Sequence, residues 1–156
     1  MVGPGQGDAV MTVSRRQADL PPFAPGIFRV AGDGGLPVLL GSRCVHCDQC
    51  FFPGSSKCPN CLGETTEQEL GSRGRIYSYT VVRTKPPLGL PAPYAVGYVD
   101  LGSCGLRVFS LLDAAQTEGL RIGGQVQLAV AALGHDGHGN ACLRHYFTPV
   151  DTAAAA

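Results

Sequence analysis

The stretch Cys44-Val45-His46-Cys47-Asp48-Gln49-Cys50, with Cys58-Pro59-Asn60-Cys61 beyond it, decides how this chain reads. A C-x2-C pair brings two thiolates to one ion, because the tight turn between them points both sulfurs inward. Two such turns supply the four corners of a tetrahedral structural zinc site. A disulfide pair or a set of buried free thiols would leave the doubled spacing unexplained, and seven cysteines, an odd number, disfavour a closed disulfide framework. Cys47 and Cys50 also form a C-x2-C pair. With Cys44, Cys47, Cys58 and Cys61 as ligands, Phe51-Phe52-Pro53 becomes the strand between the two knuckles and Cys50 is left over. His46, inside the first turn, is expected to point away from the metal. Asp48 stands where a Gly would ease that turn, whereas Gly63 lies two past Cys61. Four thiolates close the coordination sphere, so the ion is expected to serve folding rather than catalysis. It would contribute on the order of 10–16 kcal/mol to a module too small for a core of its own.

Outward from this cluster, the composition narrows the class. The chain has 156 residues, with 22 Gly, 12 Pro and only 15% charged side chains, which favours short strands joined by turns over long helices. The length suits one domain or two very small ones, not a two-domain nucleotide enzyme or an eightfold βα barrel. An apolar content of 44% rules out wholesale disorder. Twelve basic against twelve acidic residues leave no basic field for nucleic acid, and zinc on four thiolates would take the chain to about −2. The longest apolar run, Leu128 to Leu133, falls far short of the roughly 18 residues that span a bilayer, and the N-terminus lacks a basic stretch followed by an apolar one. The expectation is a soluble, cytoplasmic, β-rich protein with no membrane segment.

The organisation reads as a polar N-terminal tail over 1–20, an arm over 21–41, a zinc ribbon over 42–70, a barrel over 71–150 and a short tail over 151–156. Met11 offers an alternative start. The arm carries Phe23, Ile27, Phe28 and Val30 as anchors for the ribbon or for a partner, and Pro25 and the Gly32-Asp33-Gly34-Gly35 turn keep any helix short. Five strand-like segments follow the ribbon: Arg75–Arg83, Tyr94–Leu101, Leu106–Leu112, Gln125–Ala131 and Ala141–Thr148. Asp113 and Gly119 bracket a short helix between the third and fourth as N-cap and stop. Five strands with a helix in that place is the order of an OB-fold barrel. The fold class expected is therefore mainly β, a zinc ribbon followed by a five-stranded OB barrel with one short helix.

A four-cysteine ribbon running into an OB barrel resembles the acyl-CoA-associated family long catalogued as a domain of unknown function, in which a rubredoxin-like ribbon precedes an OB-fold. The resemblance covers roughly residues 36–150. It rests on Gly41-Ser42-Arg43-Cys44-x-x-Cys47, Phe52-Pro53, Cys58-Pro59-x-Cys61 and, most particularly, Gly71-Ser72-Arg73-Gly74-Arg75-Ile76-Tyr77-Ser78-Tyr79-Thr80-Val81-Val82. Pro93-Tyr94 and Leu120-Arg121-Ile122-Gly123 add to it. Asp48 in place of Gly and an arm without tryptophan depart from the pattern. The resemblance implies a non-catalytic small subunit in a hetero-oligomer with a thiolase-like enzyme. Such partners make or break carbon–carbon bonds in coenzyme A thioesters, as in benzoylsuccinyl-CoA thiolase, steroid side-chain aldolases and archaeal acetoacetyl-CoA thiolase. It further implies that the catalytic Cys and His lie on the large partner, while the small subunit steadies the assembly and helps enclose the CoA thioester. Arg43, Arg73, Arg75, Arg83 and Lys85 are the candidates for CoA phosphates or acidic partner residues.

Other residues are weighed against this. Cys142 and His145 are the nearest approach to a nucleophile and base, but three positions apart on a strand they face opposite sides. Cys104 in a turn and Cys142 in a strand read as small buried thiols. Gly134-His135-Asp136-Gly137-His138-Gly139-Asn140 reads as a flexible hairpin loop rather than a metal site. With the proline-stiffened Thr84–Pro93 loop it makes up the two loops by which OB-folds hold ligands. A single-stranded nucleic-acid module is the alternative class. Tyr77, Tyr79, Tyr94, Tyr98 and Tyr146 could stack on bases, but two lysines and a slightly negative chain argue against it.

Overall fold

The computed structural model describes residues 19–30 and 35–150. Residues 1–18 of the N-terminal tail, residues 31–34 of the arm and the C-terminal tail lie outside the described residues. Among the described residues, nine strands and one 3₁₀ helix are formed: β1 Phe28–Arg29, β2 Val38–Cys44, β3 Cys50–Phe51, β4 Thr65–Gly71, β5 Arg73–Val82, β6 Tyr94–Leu101, β7 Arg107–Leu112, the 3₁₀ helix Ala114–Gly119, β8 Gln125–His135 and β9 Ala141–Pro149. No helix among the described residues is long and apolar enough to cross a membrane.

β2 is the spine of the first sheet. It pairs antiparallel with β1, with β3 and, over most of its length, with β4. It begins inside the segment read as the arm and ends at Cys44, the first of the four clustered cysteines, so arm and ribbon share one strand.

The other five strands close a barrel in the order β5-β6-β7-β9-β8, the OB arrangement expected from the order of segments. Its seams are unequal. β5–β6 and β8–β9 are long antiparallel pairs, whereas β7 meets β9 in parallel at Leu112 and Phe147 alone. The period-2 alternation of β6 and β7 buries Ala95, Val99 and Leu101 with Val108 and Leu112, and turns Tyr98 and Phe109 outward as a cross-strand aromatic pair. A shift in register between Ile76 and Ser78, opposite Val99 and Tyr98, bends β5 around the barrel. A Cβ on Gly97 would lie 2.3 Å from the Ser78 carbonyl oxygen, so the close approach of the strands there depends on glycine.

One core serves both parts. Leu39 and Leu70, from β2 and β4, belong to the same buried cluster as Ile76, Val99, Val126, Leu128 and Phe147, with Ile27, Cys50, Phe52 and Cys104 packed against it. At roughly 1.5–3 kcal/mol per fully buried aliphatic or aromatic side chain, this shared apolar contact is what joins ribbon to barrel, since each ion pair among the described residues lies within one part or the other. Asp113 caps the 3₁₀ helix as expected, accepting the Ala115 N–H, and its other oxygen accepts from the Thr148 hydroxyl on β9.

The 134–140 hairpin is shorter than its composition suggested. β8 continues to His135, and the Asp136 carboxylate accepts the N–H groups of His138 and Asn140, folding the remaining residues into a tight turn. These amide donors hold the Asp136 carboxyl below its ordinary pKa.

Candidate metal centre

The two C-x2-C turns are built alike. In the first, the Cys44 N–H donates to the Gln49 carbonyl and the Asp48 N–H to the Cys44 carbonyl; in the second, the Cys58 N–H donates to Gly63 and the Leu62 N–H to Cys58. His46 and Cys47 donate backbone N–H groups to the Cys44 sulfur, and Asn60 does so to the Cys58 sulfur, each at 3.4 Å. Asp48 and Leu62 occupy the same place after the second cysteine, both left-handed, with φ of 62° and 61°. The missing Gly at position 48 is thus answered by conformation: Asp48, a residue type that tolerates this region, adopts it while forming a two-pronged ion pair with Arg43 at 2.7 and 2.9 Å. The first knuckle is no less regular than the second.

The sulfurs of Cys44, Cys47, Cys58 and Cys61 all lie within 4.8 Å of one another, with Cys44–Cys61 at 3.4 Å and Cys47–Cys58 at 3.6 Å. An S4 tetrahedron with metal–sulfur bonds of about 2.3 Å has edges of about 3.8 Å, so the donor set fits zinc in size and in chemistry. Amide N–H groups, Cys47's foremost, lower the Cys44 thiol to about 6. At Cys61 the Gly63 amide acts in the same direction, but the neighbouring Cys44 sulfur and burial outweigh it and push that thiol up to about 11. Negative charge gathered on one sulfur is resisted at the next, a conflict that a divalent cation resolves.

Neither competitor for a coordination place joins the cluster. His46 is exposed, its ring packed against Gly63, where a Cβ would come within 2.4 Å of it. Cys50 points to the barrel, its sulfur 2.8 Å from that of Cys104. The choice between the two overlapping C-x2-C registers is therefore made by a partner 54 residues away.

The five candidate cations do not form one patch. Arg43 is engaged with Asp48. Arg73 and Arg75 stand exposed at the start of β5, opposite Gln127 and Gln125 of β8. Arg83 and Lys85 are exposed beyond its far end, and eight residues of strand separate Arg75 from Arg83 by up to about 26 Å. The two OB loops do come together: the His135 N–H donates to the Leu88 carbonyl, and Gly134 packs on the same oxygen. Of the tyrosines read as stacking candidates, Tyr77 lies beneath the Arg107 guanidinium, Tyr98 packs against Phe109, and the Tyr79 hydroxyl donates to the Leu120 carbonyl, while all three rings stay exposed.

A groove of about 390 Å³ went unread. Phe23, Ile27 and Phe28 of the arm, Phe52 of the ribbon and Val96 and Phe109 of the barrel line it, with Arg144 and His145 of β9 at its floor. Arg144 is buried, donating to the Leu133 and His135 carbonyls while its guanidinium lies 3.7 Å from the Phe23 ring centre. His145 packs on Phe28 and Phe52, and burial with the neighbouring Arg144 lowers its pKa to about 4. Cys142, the other half of the hypothetical pair, is buried.

A four-thiol ribbon whose spine strand shares a core with a closed OB barrel defines a class of small β proteins. Residues 67–131 match the family described as ChsH2, C-terminal OB-fold domain. The chain is 32% identical over 136 residues to the benzoylsuccinyl-CoA thiolase subunit BbsA of Thauera aromatica, covering 86% of this chain and 92% of that one. The BbsA of Geobacter metallireducens is 36% identical over 119 residues, covering 76% and 79%. A DUF35 domain-containing scaffold protein of Methanocaldococcus jannaschii is 30% identical over 117 residues, covering 72% and 82%. Among solved structures, the Ltp2-ChsH2(DUF35) aldolase aligns with a TM-score of 0.58 at 26% identity, over 72% of this chain and 84% of that one. The chain belongs to the DUF35 family of ribbon-and-OB-fold proteins, as the "Gly-Arg-Ile-Tyr-Ser-Tyr-Thr" run indicated.

Proposed function

We propose that this chain is the non-catalytic, zinc-holding subunit of a cytoplasmic thiolase- or aldolase-type complex that makes or breaks carbon–carbon bonds in acyl-CoA thioesters. The observation that carries the reading is the closed set of four sulfurs on a ribbon that shares its core with the barrel. Cys44, Cys47, Cys58 and Cys61 would hold the ion, and four thiolates leave no position for water or substrate. Zinc bound there supplies a cross-link between the two knuckles. The residues of this chain then offer a rigid surface to a catalytic partner. The names of the relatives support such a role, since two are subunits of a thiolase, one is a scaffold protein and one is a chain of the Ltp2-ChsH2(DUF35) aldolase. Contact with the CoA phosphates falls to one end of β5 at a time, Arg73 with Arg75 or Arg83 with Lys85.

The test is to recover the tagged chain from its native host, identify co-purifying chains by mass spectrometry and measure metal on the same sample. A stoichiometric thiolase-like partner with about one zinc per small chain is the expected result. Iron in place of zinc, visible by its colour, would correct the metal alone. Recovery without a partner, or with nucleic acid that salt releases, would overturn the reading.

A further inference from the structure

Cys50 and Cys104 lie outside the four-sulfur cluster, and nothing in the proposed role uses them. They approach from different parts of the molecule. Cys50 is on β3 of the ribbon sheet, paired with Arg43, and Cys104 is in the turn joining β6 to β7 of the barrel. Their sulfurs are 2.8 Å apart, well inside the separation of two non-bonded sulfur atoms, and both residues are only partly buried. The turn is held in place independently, since the Ser103 hydroxyl donates to the Leu70 carbonyl at the end of β4. Arg43, which flanks Cys50 across the strand pair, is ion-paired with Asp48, whose charge opposes that of the guanidinium at Cys50. In the reduced state burial keeps the Cys50 thiol protonated, with a pKa near 11, and it donates to Cys104.

We propose that Cys50 and Cys104 are an oxidant-reactive dithiol whose disulfide clamps the ribbon to the barrel. A low-molecular-weight disulfide such as oxidised glutathione is the co-reactant. The Cys104 thiolate attacks one of its sulfurs, breaking that S–S bond and releasing one glutathione thiolate. Cys50 then attacks the Cys104 sulfur of the mixed disulfide, giving up its proton and releasing the second glutathione as a thiol. The released glutathione thiolate takes up the proton that Cys104 lost on becoming a thiolate, so two electrons and two protons pass from the pair to the glutathione disulfide. The inference stands whether or not the neighbouring cluster holds a metal, since it requires only these two sulfurs.

The test uses the full chain as purified, equilibrated with graded ratios of oxidised to reduced glutathione and then alkylated. Non-reducing tryptic mapping should find one cross-link, joining the peptide 44–57 to the peptide 84–107, with fragmentation placing it on Cys50. Alkylation of Cys50 and Cys104 should fall together by about tenfold, and the thermal midpoint should rise on the order of 10 °C, because the bond closes a long loop. Cys104→Ser should lose both the cross-link and the shift. Should that variant fail to fold, mapping of the unmutated chain still decides. A cross-link from Cys104 to Cys44 or Cys47, separate glutathione adducts on Cys50 and Cys104, or full alkylation of both under oxidising ratios would each overturn the proposal.

Discussion

Acidification should loosen the junction of arm, ribbon and barrel through His145. This imidazole sits among Phe28, Phe52 and the neighbouring Arg144, and its pKa falls to about 4, chiefly by burial. The unfolded chain takes up the same proton near 6.5, so between these values the unfolded state binds more protons and stability drops as pH falls. The contribution is whole above about pH 7, is lost on descending through 6.5, and levels off below about 4. Linkage with these two pKa values gives a loss of about 2 kcal/mol at pH 5 and about 3 kcal/mol at pH 4. For a domain of this length, the pH 5 figure corresponds to a midpoint about 4–8 °C lower. Denaturant unfolding of the unmutated chain and of His145→Phe, at pH 7.5, 6 and 5, isolates the effect, because both carry the same four cysteines and carboxylates. The variant's stability should fall less by about 2 kcal/mol over that range. Equal slopes within ~0.5 kcal/mol would refute the reasoning, and the imidazole would then have to titrate near its ordinary value.

Three further outcomes are expected. Cys58→Ser should lower metal content from about one ion per chain to near zero and melt the ribbon sheet, read by metal analysis and amide exchange across β2–β4; a variant that keeps its metal would show that a different set of ligands holds it. Gly97→Ala drives a methyl group onto the Ser78 carbonyl and should cost about 1–3 kcal/mol in denaturant unfolding, against almost nothing for Gly102→Ala, where the space is open. Asp113→Ala removes the cap of the 3₁₀ helix and the partner of Thr148, and should lower stability by about 1–2 kcal/mol; an unchanged unfolding midpoint would mean that water replaces both bonds.

Where a pattern was local, it was legible. The bounds of β6, Tyr94 to Leu101, follow from the Gly102-Ser103-Cys104-Gly105 turn that ends it, and the cap at Asp113 from its place before the 3₁₀ helix. The four ligand candidates followed from spacing alone, since both knuckles are short turns closed by their own backbone. What escaped depends on distant partners. β8 was cut short at Ala131 because its register shifts between Ala132 and His135, where Gly134 adopts a positive φ and packs on Leu88, which ends the alternation. The candidate cations are picked out by charge alone, and an extended strand carries Arg75 and Arg83 far apart. Buried Arg144 gave no signal, since an arginine in a strand ordinarily faces water and its carbonyl partners lie on β8.

The arm has one more consequence. β9 gives one flank to β8 and meets β7 at a single position on the other, so the backbone of Leu143 would otherwise offer an open donor and acceptor. Pro21 and Phe23 take them: the Leu143 N–H donates to the Pro21 carbonyl, and the Phe23 N–H donates to the Leu143 carbonyl. The Phe23 ring, lying over Arg144, holds that stub in place. A few residues of arm thus act as a doorstop against strand addition, and a version of this protein trimmed past Phe23 would carry a sticky margin through which copies could zip together.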